Sequence, residues 1–238
     1  MIEKVLDPDF ADRGSLGNDL MGEFKRGFPL ENLRPLLTST HWQAQATAAF
    51  IMTFLGFELH FLLPEIVKLL DSRHAGTRFD TVEVLRGCTT PRDGKVLGRV
   101  LMHLDDEHPG VRWKVVQFIC TADPWQLRVG LRNAAARRPE SPFAIVNQVY
   151  ERRWVITAED IEWLIRHPDK VVRRFGVALA ARPLYVVDDR LLDVAASSDD
   201  AEVMGLVKDA REGYLAPVYS ISSSALVERS RRRAEGGT

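Results

Sequence analysis

Apolar residues recur along this chain at helical spacing. Leu30, Leu33, Leu36 and Leu37 fall at i, i+3, i+6 and i+7, and Leu62, Leu63, Ile66, Val67, Leu69 and Leu70 continue the pattern. The spacing predicts helices over 41–55, 58–70, 75–87, 90–104, 109–121, 123–136, 141–152, 157–167, 170–182, 188–196 and 199–211. Gly56 and Gly87 read as helix stops. Thr90-Pro91-Arg92-Asp93, Asp123-Pro124-Trp125-Gln126 and Thr157-Ala158-Glu159-Asp160 read as helix starts, with a capping oxygen first and an acid or amide third in the helix. The β-rich runs at 154–157 and 185–187 are short and lie between helices.

The helices come in pairs with a period of 31 to 34 residues. Second helices open at Gln45, Arg78 and Arg112, spaced 33 and 34 apart. Arg173 follows 61 residues later, which leaves room for a unit centred near Phe143, and a further 31 residues reach Met204. A repeat of this length predicts an all-α fold: a right-handed α-solenoid of five to six stacked antiparallel helix pairs. We expect it to span 21–216. Residues 1–20 are expected to form a lead-in or N-terminal cap, and 217–238 a flexible basic tail.

The unit Leu104-Asp105-Asp106, then Val111-Arg112-Trp113, resembles HEAT repeats, including the bacterial HEAT-like class. Asp106 and Arg112 match that family's turn Asp and second-helix Arg; Arg78 and Arg173 match the Arg alone. The resemblance covers roughly residues 30–212 and implies that these arginines bridge adjacent repeats.

Composition narrows the function classes. The chain carries 32 basic and 33 acidic residues, a net charge of -1. Without the Arg-rich tail the repeat region is more acidic still, which disfavours a nucleic-acid partner. Cys88 and Cys120 show no pairing or metal spacing and suit buried thiols in a reducing cytoplasm. The apolar stretch 44–63 is interrupted by Gln45, Thr47, Thr53, Gly56, Glu58 and His60, so it reads as core helices rather than a membrane span.

The candidate residues divide by role. Arg78, Arg112 and Arg173, with Asp106, suit an inter-repeat hydrogen-bond ladder better than an acid-binding stripe, because a planar fork matches carbonyls and carboxylates across a seam. Asp80 and Glu83, then Lys114 and Gln117, sit on the non-apolar faces of two second helices and are expected to line an open binding surface. Trp42 at a helix start is a candidate exposed anchor. Trp113, with Trp125, Trp154 and Trp163, suits either inter-repeat filling or an interface. The acidic pairs Asp105-Asp106, Asp188-Asp189 and Asp199-Asp200 fall at helix boundaries, where capping explains them. His103 and His108 are five apart across a turn, a poor metal spacing, so neither metal nor cofactor is expected. No nucleophile elbow or phosphate loop is present in the sequence.

These observations favour a cytoplasmic, non-enzymatic scaffold that binds another protein. Its oligomeric state is left open. The resemblance adds an immunity- or antitoxin-type inhibitor as an expectation. It also admits a DNA enzyme of the HEAT-like alkylpurine glycosylase type, with Trp113, Arg112 and Asp80 as its set, and, more distantly, a regulatory subunit like HEAT-like lyase relatives.

Overall fold

The computed structural model describes residues 1–7, 9, 13–152, 155–182 and 189–215. Among these, regular structure is helical throughout. They form two compact units, one of residues 1–118 and 122–154, the other of 119–121 and 155 onward. The tail from 217, Trp154, Asp188 and the run 185–187 lie outside the described residues.

The first unit contains α1 (Ile2–Leu6), α2 (Arg13–Lys25), α3 (Arg34–Leu37), α4 (Trp42–Met52), α5 (Leu63–Ile66), α6 (Ala75–Cys88), α7 (Gly94–Met102), most of α8 (Pro109–Thr121), α9 (Pro124–Arg137) and α10 (Pro142–Arg152). The segment expected as lead-in or cap thus carries helix, and it buries Val5, Leu16 and Leu20. Gly27, at φ +99°, turns the chain after α2.

The helix expected over 41–55 ends at Met52, so Gly56 does not stop it but opens the next turn. Three further boundaries differ from the sequence reading, each for a local reason. The helix expected over 58–70 is a 3-10 turn (Gly56–Leu62), the single-turn α5 and a second 3-10 turn (Val67–Asp71). Pro64 has no N–H to give the carbonyl four residues back, and its ring crowds that carbonyl. The helix expected from Thr90 starts at Gly94 instead. Asp93 accepts from Thr90 N at 2.7 Å and Thr90 Oγ1 at 2.8 Å, closing a turn before the helix begins. Gly87 does not stop α6, which continues to Cys88 and ends where Thr89 is extended. Elsewhere capping follows the sequence: Asp123 and Gln126 form a reciprocal box at the start of α9.

Helices α7 and α9 pack through glycine. A Cβ placed on Gly98 would lie 3.0 Å from Ala134 N and 3.1 Å from Gly130 O, and one on Gly130 would lie 3.1 Å from Leu97 Cβ. Backbones at this separation leave no room for a side chain between them.

The second unit holds α11 (Ala158–Ile165), α12 (Lys170–Ala180), α13 (Asp189–Ala196) and α14 (Ala201–Arg211). Thr157 and Asp160 box the start of α11, and Asp169 and Asp200 cap α12 and α14. Gly176 of α12 sits against the α11 backbone. Arg182 is fully buried and donates to the Ile119 carbonyl. The Cys120 thiol donates to the Ala178 carbonyl at 3.3 Å. Burial pushes the Cys88 and Cys120 thiols up to about 12, so both stay protonated and unreactive near neutral pH.

Candidate binding face on the second helices

A local signature recurs at the entrance of α4, α6, α8 and α12. A side chain there reaches back to the carbonyl six residues earlier: Gln45 Nε2 to Ser39 O at 2.8 Å, Arg78 to Ser72 O at 2.8 Å, Arg112 to Asp106 O at 2.8 Å and Arg173 to His167 O at 3.1 Å. The amide two residues after that carbonyl's residue is capped as well. Ser39 Oγ receives His41 N, Ser72 Oγ receives His74 N, and an Asp106 oxygen receives His108 N. Four different turns therefore satisfy their backbone in the same way, and helices that start alike present equivalent positions alike.

Two of the arginines also reach the following turn. Arg78 forks onto Asp106 through Nε at 2.8 Å and a terminal nitrogen at 2.7 Å, with the two side chains only 7% and 4% exposed. Burial raises the Asp106 carboxyl, but hydrogen bonds from Arg78, His108 N and His103 more than offset this and bring it to about 2. In the second unit Arg173 repeats the contact with Asp200 at 2.8 Å and lowers that carboxyl. Arg112 adds the Glu107 carbonyl at 3.0 Å to its own turn. Removing one member of such a buried pair costs about 3–5 kcal/mol, since a desolvated charge is left behind.

From the shared entrance, side chains of α4, α6 and α8 can be matched one repeat apart. Ala46, Phe79 and Trp113 share a level, as do Thr47, Asp80 and Lys114, and then Phe50, Glu83 and Gln117. Exposure falls along the third of these levels. Phe50 is 37% exposed, Glu83 is half-buried and Gln117 is 7% exposed. Lys114 and Gln117, expected on an open surface, are buried; the face is recessed at α8.

The recess holds an ordered charge cluster. Lys114 Nζ lies 3.2 Å from Glu83 Oε2 and 2.8 Å from Gln117 Oε1, with the Phe79 and Trp113 ring centroids at 4.5 and 5.4 Å. A carboxylate, an amide and two π-faces thus surround the buried ammonium and stand in for its water. Arg86 holds Glu83 from the other side. Burial raises the Glu83 carboxyl, but Arg86 and Lys114 together outweigh it and the net displacement is downward.

Asp80 is the exception. It makes no hydrogen bond among the described residues. Burial pushes its carboxyl up to about 6; the Lys114 charge only partly opposes this, and Glu83 adds to it. Trp42, at the entrance of α4, is 46% exposed and stacks on His74 at 3.8 Å. Trp125 and Trp163 are each 50% exposed, which does not suit inter-repeat filling. Phe79, Arg86, Phe50 and Phe54 belong to this region and were not singled out from sequence. The repeat offers the signal for Phe79, which is the aromatic mate of Trp113 one period earlier.

Among the described residues, no group of His, Cys, Asp or Glu side chains is placed to hold a metal ion. No helix among them is long and apolar enough to cross a membrane.

The chain matches no family model and no curated protein, so the likeness to HEAT repeats rests on the residues given above. Among the solved structures similar to it are the following two. One is an engineered protein at 15% identity, covering 90% of this chain and 98% of that one, with a TM-score of 0.47. The other is the designed armadillo repeat protein YIII(Dq.V1)4CPAF in complex with the peptide (KR)4, at 14% identity with the same coverage and TM-score. Nothing about ligand or activity passes from either to this chain.

Proposed function

We propose that this chain is a non-enzymatic scaffold that binds another protein through the face of α6 and α8, with Trp42 at its edge. The observation that carries the reading is Asp80. A carboxylate without a hydrogen bond, partly withdrawn from water, costs stability. Its neighbours Glu83, Lys114 and Gln117 are meanwhile tied to one another and held still. A fixed surround with one unmet acceptor is preorganised for a donor brought from outside, such as an arginine, a lysine or a free amide of a partner. Phe79 and Trp113, whose rings face the Lys114 ammonium, supply apolar contact area. The finer expectation, an immunity- or antitoxin-type inhibitor, follows if the partner is an enzyme that loses activity when bound.

The test is retention of a protein from native lysate on the immobilised full chain, compared between wild type and Asp80→Asn. We expect one retained protein, at least tenfold depleted with the variant. Retention of none, or equal retention by both, would sink the proposal. A salt-sensitive shift of duplex DNA by the wild type would favour the glycosylase-like alternative instead.

A further inference from the structure

Helix α4 carries a second feature, separate from the Asp80 cluster. Trp42, Ala46 and Phe50 follow one another at intervals of four, the spacing of a single helical face, and Phe54 stands just past the helix end. Trp42 is 46%, Phe50 37% and Phe54 50% exposed. The Phe50 and Phe54 rings meet edge to face at 5.4 Å. Beside this row lies a hollow of about 440 Å³, where Gly14 and Gly17 of α2 face Trp42, Ala46 and Phe50 of α4. Two more open rings follow, Phe57 at 60% and Phe61 at 43%.

We infer that this face joins two copies of the chain in an antiparallel two-fold contact centred near Ala46. Three physical points select a second copy over an unrelated partner. First, no acidic or basic residue occurs from Trp42 to Phe57, and Lys25, whose ammonium lies 4.8 Å from the Phe54 ring centroid, stands beside a residue eight positions on from Ala46. A two-fold contact sets like against like, so charges near the axis repel; a helix that brings no charge of its own to the axis can meet itself. Second, knobs and hole lie on the same surface. Phe50 and Trp42 flank Ala46 at equal distance along the helix, so a two-fold at Ala46 sets Trp42 of one copy beside Phe50 of the other. The glycine-lined hollow leaves space for the incoming ring. Third, the row is open. Trp42, Phe50 and Phe54 together expose on the order of 300 Å² at the usual size of aromatic side chains. That is more than half of the apolar share of a standard interface of roughly 800 Å² per partner.

The contact is tested by sedimentation equilibrium of the full chain from low micromolar to hundreds of micromolar. The expected result is a mass that rises to twice the single chain, and a return to the single-chain mass in Phe50→Asp. Phe50 is partly exposed and caps no turn, so far-ultraviolet circular dichroism of that variant should match wild type. Ala46→Cys should form a disulfide-linked pair on mild oxidation with diamide, undisturbed by the buried Cys88 and Cys120. A single-chain mass at every concentration overturns the proposal. So does doubling that survives Phe50→Asp, or doubling without cross-linking at Ala46, because either moves the contact off this face.

Discussion

Asp80 is a residue that folding alone would not choose. Its folded carboxyl stands at about 6 against an ordinary 3.8, so the folded chain holds the proton more tightly than the unfolded one. Stability from this group is therefore greatest below pH ~4 and is lost as pH rises through ~6. Asp80→Asn removes the titration. At pH 7 to 8 we expect the variant to be more stable than wild type by about 1 kcal/mol, after allowing for the water that still reaches the group. The difference should vanish near pH 4. Urea unfolding midpoints across that range measure it; a variant less stable than wild type at pH 8 would show that Asp80 has a folding role. A gain in stability together with loss of the retained protein is the trade expected of a functional acid.

This residue also shows where sequence reasoning stopped. Asp80, Glu83, Lys114 and Gln117 were legible as polar positions on second helices, because helical periodicity shows which positions leave the core. Their burial was not legible, since it depends on how far α8 recedes behind α6. The pairing of Lys114 with Glu83, 31 residues away, comes from the lateral fit of two helices, which no local pattern encodes.

At the scale of elements, two of the three capped starts were read correctly, the one at Thr90 was not, and interiors fared less well. The boxes at Asp123 and Thr157 are local chemistry, complete within four residues. The split of 58–70 turned on Pro64, where one missing donor outweighed a long apolar stripe. Helix α4 is apolar on nearly every side, so its periodicity could not say which face stays open. Glycines within helices carry information of another kind. Ordinarily Gly→Ala in a helix gains roughly 1 kcal/mol. At Gly176 the sign should reverse, because the new Cβ would lie 2.7 Å from Ile165 N and 2.9 Å from the Leu164 carbonyl carbon. Forcing α11 and α12 apart should cost Gly176→Ala about 1–3 kcal/mol. Thermal unfolding beside Gly205→Ala, where a Cβ meets nothing within 4 Å, provides the internal control. Two changes of the same sign would contradict the close-packing account.

At the scale of the whole molecule, the repeat makes chemistry readable. Period and turn signature bring α4, α6 and α8 into one register, and from that register follow both the recess around Asp80 and the open aromatic row beside it. The Arg ladder was legible in outline from Arg78, Arg112 and Arg173. That Gln45 makes the same return to its turn was not, because Gln and Arg share reach and donors rather than identity. The register is tested most directly by a double-mutant cycle on Glu83 and Lys114, measured by urea unfolding of Glu83→Gln, Lys114→Met and the double variant. Side chains one repeat apart and in contact should show a coupling of about 1 kcal/mol or more. Additive losses, within about 0.3 kcal/mol, would place the two residues apart and contradict the shared face.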